Sequence, residues 1–383
     1  MKYTVYLIIS KTKQNLVSYV GYTNNLKERL KKHNSSKGAK FTRGRYWKLA
    51  YSKIYSSKSK AMKEEYSLKK NITIYGHTKF KKKLLKNYKN INFTRFFLRS
   101  NSKIYVKKFL ENEKINKSKL IEIHNRPEYV KLIYKQNKNI VLYFHNNPLE
   151  MKLSKSLKER IELFNKTKKI IFNSKWTLNK FRSGLPRKYY TNKLEVINPS
   201  TTKKRINFKN KKKIIIFVGR LNRSKGYDIF GKSIINVLNK HPEWTGIVIG
   251  DEPREKHIFE HNKLKILGFQ KHNIVSKWFE KSDISVVCSR WNEPFGRTAL
   301  EASSAGCAVI VSNRGGLPEA SPKALKIFNL NAKNLENAIN KLVKKNNYKK
   351  SLQKKIYKHF YLTNTYITKK IDAYRKKLIS ELS

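Results

Sequence analysis

The spacing of apolar and polar positions changes character near residue 72. Before it, short β-branched and aromatic runs predict a small mixed domain. "YTVYLII" and "LVSYVGY" read as two strands joined by the polar turn "KTKQN", hence a hairpin. "NLKERLKKHN" is helical: Leu26 and Leu30 share one face, and Arg29 and His33, four apart, share another. "SKGAKFTRGR" is a basic loop with two glycines, "WKLAYSKIY" a third strand, and "SKSKAMKEEYSLKKN" a helix with Ala61, Glu65 and Leu68 along one side. Beyond residue 115, strand and helix patterns alternate. "KLIEIH", "NIVLYFH", "KKIIFNS" and "KLEVINPS", then "KKKIIIFVG", "WTGIVIG", "LKILG", "DISVVCS" and "CAVIVS", are short apolar runs typical of parallel strands buried on both faces. Helical stretches separate them, which predicts two doubly wound, Rossmann-like α/β units with a ligand crevice at the carboxyl ends of the strands.

Composition narrows this picture. Apolar residues make up 39% of 383, enough for several cores, which excludes a disordered tail. Lys and Arg number 87 against 25 acidic residues, a net charge of +62 that favours phosphates of nucleic acid, nucleotide or anionic lipid. Lys, Asn and Ile are frequent along the whole chain, as an AT-rich coding sequence would produce, so part of this charge is compositional and basicity alone names no partner. Cys288 and Cys307 sit in apolar runs and read as buried small hydrophobes in a reducing compartment. The first apolar run is short for a signal peptide, and no stretch approaches the ~18 apolar residues of a membrane span. The expectation is a cytoplasmic chain, with peripheral contact at the inner membrane surface as a further option.

Tyr6 in "TVY", Tyr19 in "YVG", then Arg29, His33 and Glu65, in the order β-β-α-β-α, resemble a GIY-YIG nuclease domain over residues 1–71. The loop "KGAKFTRGR" is similar to that of the small single-domain members. The resemblance implies that Glu65 holds one Mg²⁺ or Mn²⁺, that Arg29 stabilises the transition-state phosphate, and that Tyr6, Tyr19 and His33 position a water and take its proton. DNA is then the implied partner. Tyr22 departs from members with a basic residue there. Taken singly, the tyrosines also suit plain strand aromatics, Arg29 a surface charge and Glu65 an ordinary helix-face carboxylate.

Three later stretches converge on a nucleotide-sugar. "FVGRLNRSKG" follows a strand and puts Arg220 and Lys225, two cations suited to a diphosphate, at its mouth. "EPFGRTALE" opens a helix, so the N–H groups of Gly296, Arg297 and Thr298 form an anion site, with Phe295 beside them. Glu293 precedes that helix and Glu301 lies about one turn inside it, expected on the same side, as acceptors for sugar and ribose hydroxyls. "SNRGGLPE" closes the next strand with a glycine pair. These stretches resemble the retaining GT-B glycosyltransferases of glycosyltransferase family 4. The resemblance implies that Glu293 contacts the transferred sugar, Glu301 the ribose, Arg220 and Lys225 the diphosphate, and that Gly268 in "ILGF" lies near the base. It also implies no metal in this half, since the cations replace it, and retention by same-face attack. His145, at a strand end, is the candidate acceptor-side histidine; a strand-end histidine bonded to a backbone carbonyl is the plainer reading. His124, Asn125 and Arg126 occupy a similar strand end.

The first GT-B unit should open on a strand and a Gly-rich loop. Between Ile72 and Leu120 there are only the weak strands "ITIYG" and "INFTRFF" and a single glycine, Gly76. The expected organisation is therefore a nuclease-like domain (1–71), a front-truncated first unit (72–205), a nucleotide-sugar unit (206–360) and a C-terminal helix (361–383) packing back on the first unit, a basic amphipathic surface helix being the other option. Strand edges exposed at the seam would need covering. The leading expectation is transfer of a sugar from a nucleoside-diphosphate-sugar to an envelope glycan or lipid-linked acceptor. The alternatives are a metal-dependent, structure-selective DNA endonuclease with a degenerate second half, or a binding protein in which neither half turns over.

Overall fold

The computed structural model describes residues 2–11, 16–74, 101–255 and 257–381, and the chain divides into two compact units, residues 1–101 and 102–383. Unit 1 is an antiparallel three-stranded sheet in the order β2-β1-β3, with β1 (Tyr3–Lys11), β2 (Leu16–Thr23) and β3 (Lys48–Tyr55), plus α1 (Leu26–Asn34) and α2 (Lys58–Ile74). The twofold strand period sorts β1 cleanly. Val5 and Leu7 pack with Val20 and Ala61 of α2, while Tyr6 and Ile8 pack with Trp47 and with Leu26 and Leu30 of α1. Both faces of β1 are thus covered, which is why its sequence is nearly continuous in apolar residues. "ITIYG" is not a strand at its start: Ile72 to Ile74 continue α2. Adding residues to an existing helix needs no new nucleus, whereas a strand there needs a partner. "INFTRFF" lies outside the described residues.

Unit 2 holds two parallel sheets. The first lobe has β4 (Ile121–His124), β5 (Ile140–Phe144), β6 (Lys169–Phe172) and β7 (Leu194–Val196), in that order, with α4 (Pro127–Ile133), α5 (Leu157–Lys166) and α6 (Lys175–Arg182) between them. Ahead of it, α3 (Asn101–Ile115) was not read from the sequence; its Val106, Phe109 and Leu110 pack on this lobe's core.

The second lobe has six parallel strands: β8 (Lys212–Val218), β9 (Thr245–Ile249), β10 (Leu264–Ile266), β11 (Ser282–Val287), β12 (Ala308–Ser312) and β13 (Leu325–Ile327). Their order is β10-β9-β8-β11-β12-β13. Successive strands therefore run outward one way from β8 and then the other way from β11. The switch point, where a doubly wound sheet opens a crevice, lies between these two. Helices α7 (Tyr227–Lys240), α8 (His272–Lys281), α9 (Arg297–Ser304), α10 (Leu317–Ala320), α11 (Ala332–Lys344) and α12 (Asn346–Lys358) complete the lobe. Cys288 and Cys307 are free and buried in its core, and burial pushes the Cys288 thiol up to about 12. Among the described residues no helix is long and apolar enough to cross a membrane.

The last helix, α13 (Asn364–Ser380), packs rather than floats. Ile367 and Tyr374 are buried, and the helix returns to the first lobe. The Tyr374 hydroxyl bonds Glu122 and Tyr143, Arg375 Nε donates to Glu122 Oε1 at 2.9 Å, and Lys370 Nζ donates to the Val196 carbonyl at 2.8 Å. Burial of Glu122 opposes its charge, but hydrogen bonds from His124, Arg375 and Tyr374 prevail and hold the carboxyl well below its ordinary value of 4.5. A depressed carboxyl stabilises the fold above its unfolded value and loses that contribution as pH falls. Between neutral pH and values below 4.5 the thermal midpoint should therefore fall more steeply for the wild type than for Arg375→Met. Scanning calorimetry across that range checks it.

Candidate functional site

At the switch point of the second lobe, two loops face each other. After β8, the chain turns through a short 3-10 segment (Arg223–Lys225) whose shape is set by Asn222: its side chain accepts from Lys225 N–H at 3.1 Å and from the Ser224 hydroxyl at 2.9 Å. The Ser224 carbonyl accepts from the N–H groups of Arg290 and Trp291, at 3.0 and 3.1 Å, and so ties this turn to the loop after β11. Lys225 Nζ then stands over the Trp291 ring, 5.1 Å from its centroid, and donates to Glu293 Oε1. An ammonium has three N–H groups, so pairing with Glu293 leaves donors for a further anion.

Glu293 is held from below by the glycine pair of "SNRGGLPE". The Gly316 N–H donates to the Glu293 carbonyl at 2.6 Å. A Cβ on Gly315, whose φ is +59°, would lie 2.2 Å from that carbonyl oxygen, and one on Gly316 would lie 2.4 Å from the Pro294 oxygen. Only glycines let the two backbones approach this closely. Gly296 then caps α9 with no side-chain hydrogen bond, leaving the first N–H groups of the helix toward the crevice.

These groups line a cavity of about 770 Å³ between the lobes, within the range of small-molecule and cofactor sites. Lys225, Glu293, Phe295, Gly296, Arg297 and Thr298 line it from the second lobe, and His124, Tyr143 and His145 from the first. Among the described residues the His145 ring bonds no backbone carbonyl. It stacks on His124, with centroids 5.4 Å apart and planes at 12°, and its Nε2 lies 3.1 Å from His124 Nδ1. Burial, then the neighbouring His124, pushes the His145 pKa down, which favours the neutral imidazole. Across the cleft, the Ser174 hydroxyl donates to the Pro294 carbonyl at 2.6 Å. Glu319 of α10 accepts from the N–H groups of Lys175 and Trp176, at 2.6 and 2.9 Å, capping α6 of the other lobe.

Three expected residues lie outside the cavity lining. Glu301 is one turn farther along α9, where its Oε1 is 3.3 Å from His272 Nε2 and 3.4 Å from Arg297. Its partner Arg297, one turn earlier on α9, does line the cavity. Arg220 is exposed beyond the end of β8, and Gly268 accepts at its carbonyl from the Gly250 N–H at 2.9 Å. Trp291 beneath Lys225 and Glu319 across the cleft were missed. Trp291 stands beside a quoted stretch and Glu319 ends the quoted "SNRGGLPE", but their partners are far away in sequence.

Unit 1 has its own site. Tyr6, Tyr19, Gly21, Arg29, Lys58 and Glu65 line an open cavity of about 550 Å³. Behind it runs a chain of hydrogen bonds. The Thr42 hydroxyl donates to the Ala39 carbonyl at 2.7 Å, so it accepts from His33 Nδ1–H, also at 2.7 Å. His33 Nε2 is then the bare nitrogen and accepts the Tyr6 hydroxyl at 2.8 Å, while Tyr6 accepts from Arg29 Nε at 3.3 Å. Burial of His33, and then Arg29, lowers its pKa and keeps the ring neutral, in agreement with this assignment. All five expected residues thus gather here, with His33 behind the wall. Thr42, quoted within the basic loop, is the partner the sequence did not reveal. Among the described residues no group of three or more His, Cys, Asp or Glu side chains gathers to hold a metal.

Two lobes of parallel sheet, a crevice at the switch point and a last helix crossing back define a GT-B protein, here following a small antiparallel domain. The GIY-YIG catalytic domain model matches residues 2–73, and the model for glycosyl transferases group 1 matches residues 199–359. It is similar to a UPF0213 protein of Staphylococcus haemolyticus, 46% identical over 65 residues, which are 17% of this chain and 78% of that protein. Its later part is similar to the lipopolysaccharide core biosynthesis mannosyltransferase LpcC of Rhizobium leguminosarum, 34% identical over 112 residues, 26% of this chain and 31% of that one. The solved structure of Anabaena HepE in complex with UDP-glucose superposes with a TM-score of 0.56 at 16% identity, covering 71% of this chain and 82% of that one. The chain spans about 30% of the length of the first curated relatives it matches.

Proposed function

We propose that unit 2 transfers a sugar from a nucleoside-diphosphate-sugar to an acceptor hydroxyl. The observation that carries this reading is the convergence of Lys225, Glu293 and the uncapped start of α9 in one crevice. Departure of a nucleoside diphosphate builds negative charge on its phosphates, and a fixed ammonium plus helix N–H groups stabilise that charge as it forms. Glu293 accepts from hydroxyls of the sugar and holds its reacting carbon toward the first lobe. His145, neutral and oriented by His124, faces the same space from the acceptor side. Arg220 and Glu301, at the rim, serve the outer phosphate and the ribose, and Gly268 the base. Attack on the face that the diphosphate leaves gives retention without a protein nucleophile. The HepE complex holds UDP-glucose, the donor class proposed here; a glycan or lipid-linked acceptor follows the Rhizobium mannosyltransferase. The test is turnover of a panel of nucleoside-diphosphate-sugars. Release of nucleoside diphosphate should occur with one donor and disappear on Glu293→Ala; turnover that survives this change contradicts the reading.

We further propose that unit 1 cleaves phosphodiesters in nucleic acid, a reading favoured by the Tyr6–His33–Thr42 chain beside Arg29 and Glu65. A water's proton passes to the Tyr6 oxygen as Tyr6 gives its own to His33 Nε2; the resulting hydroxide attacks phosphorus, the P–O bond to the departing nucleotide oxygen breaks, that oxygen takes a proton from solvent, and Arg29 stabilises the phosphate. Glu65 offers one hard carboxylate in a polar, open cavity, which fits Mg²⁺ or Mn²⁺ completed by waters and a substrate phosphate. When bound, such an ion would neutralise charge on the phosphate. A Cβ on Gly21 would lie 2.6 Å from the Tyr6 hydroxyl, so Gly21→Ala should displace the ring and lower cleavage by roughly 10²-fold, measured on a labelled oligonucleotide.

A further inference from the structure

The loop between α1 and β3, residues 36–46, contains Lys37, Lys40, Arg43 and Arg45 and no acidic residue. Its inner side is firmly fastened. Thr42 is fully buried in the hydrogen-bond chain with His33. Trp47, 1% exposed, donates Nε1–H to the Thr42 carbonyl at 2.8 Å, and the Asn34 amide clasps the Trp47 backbone on both sides, at 2.6 and 3.0 Å. The Gly44 N–H donates to the Ser36 hydroxyl at 3.0 Å.

The outer side is built differently. Phe41 is 49% exposed and Tyr46 69% exposed, although the loop is anchored without them. Phe41 is nevertheless held in one orientation. Tyr19 stacks behind it at 6.3 Å with planes at 22°, and Trp47 tilts against it at 6.3 Å. The Arg45 guanidinium lies over the ring, 5.3 Å from its centroid, and donates to the Phe41 carbonyl at 2.6 Å, so a base would stack on the ring together with this guanidinium plane. Tyr19 itself lines the cavity that contains Arg29 and Glu65. A half-exposed aromatic ring with one guanidinium over it thus adjoins the place where a phosphate would be cut.

We propose that Phe41, with the Arg45 guanidinium over it and Lys40 and Arg43 next to it in the same loop sequence, is a stacking subsite for an unpaired nucleobase next to the scissile phosphate. This deepens the nuclease reading of unit 1 and rests on it for the position of that phosphate. Stacking uses a π-face that every base presents, so it tolerates any sequence, and the flanking cations carry the backbone. A base inside an intact duplex cannot offer its face. The substrate class is therefore single-stranded, frayed or branched nucleic acid.

The chain's overall charge binds any polyanion, so the test must read the base and not the phosphate. The whole chain, with divalent metal chelated, is titrated with single-stranded oligonucleotides carrying one 2-aminopurine moved position by position. Wild type should quench the fluorophore at one register, and an abasic site there should weaken binding about tenfold. Phe41→Leu should abolish both effects and Phe41→Trp should keep them. Arg45→Gln, which leaves the packed aromatic groups in place, should reduce the quench and flatten the salt dependence, and it serves if Phe41→Leu does not fold. Wild type and both Phe41→Leu and Arg45→Gln behaving alike at every register would overturn the proposal. Adding Mg²⁺ separates the two readings. A Phe41-dependent register without cutting rejects the nuclease and keeps the subsite; cutting without the register does the reverse.

Discussion

Lys225→Met lowers kcat/KM for sugar transfer by about 10²–10³-fold, the loss typical of removing one fixed donor from developing charge. Methionine keeps an apolar stem of similar length over Trp291, so the packing of the loop survives while the ammonium is lost. Two consequences follow from one geometry. The diphosphate loses its cation, and Glu293, whose side chain is 11% exposed, loses its partner. Binding of nucleoside diphosphate should weaken along with the rate, because the phosphates are already charged in the ground state. Steady-state kinetics and calorimetry on the same protein check both. An effect below about tenfold, less than 1.4 kcal/mol, would mean the diphosphate sits elsewhere.

Asp283→Ala destabilises unit 2 by about 3–5 kcal/mol. Asp283 is the second residue of β11, and its Oδ2 accepts from Lys349 Nζ at 2.6 Å and its Oδ1 from Gln353 Nε2 at 2.9 Å. Both charged side chains are buried, at 6% and 10% exposure, and the Lys349 ammonium lies 4.7 Å from the centroid of the Trp244 ring. Removing the carboxylate leaves an ammonium without its counter-charge in that interior, which is why the loss exceeds the worth of the pair itself. The thermal midpoint should fall by roughly 10 °C. Replacing both partners, Asp283→Ala with Lys349→Met, should recover part of the loss, because no buried charge then remains. β11 carries the loop to Glu293, so the single variant should also lose donor binding at temperatures where the wild type retains it.

What the sequence disclosed follows physical range. Strands such as Ile140–Phe144 and Ala308–Ser312 are buried along their whole length, so their apolar runs alone reveal them. Unit 1 was legible residue by residue because β1 alternates between two small cores with fixed membership. The contact of Glu301 with His272 was not legible, because His272 starts a different helix, α8. Long-range partners were invisible for the same reason. Nothing local couples Glu122 to Tyr374, Asp283 to Lys349, or Glu319 to the first turn of α6. The helix α3 was available at the i, i+3, i+4 spacing of Val106, Phe109 and Leu110, but polar residues dominate its other faces.

The most direct measurement is a calorimetric titration of the whole chain with uridine, guanosine and adenosine diphosphates, run beside Lys225→Met. The crevice predicts one site per chain for one of the three nucleotides, weakened tenfold or more by the substitution. No heat from any of them up to a Kd of about 1 mM, or binding that Lys225→Met leaves intact, would contradict a donor site between Lys225, Glu293 and α9.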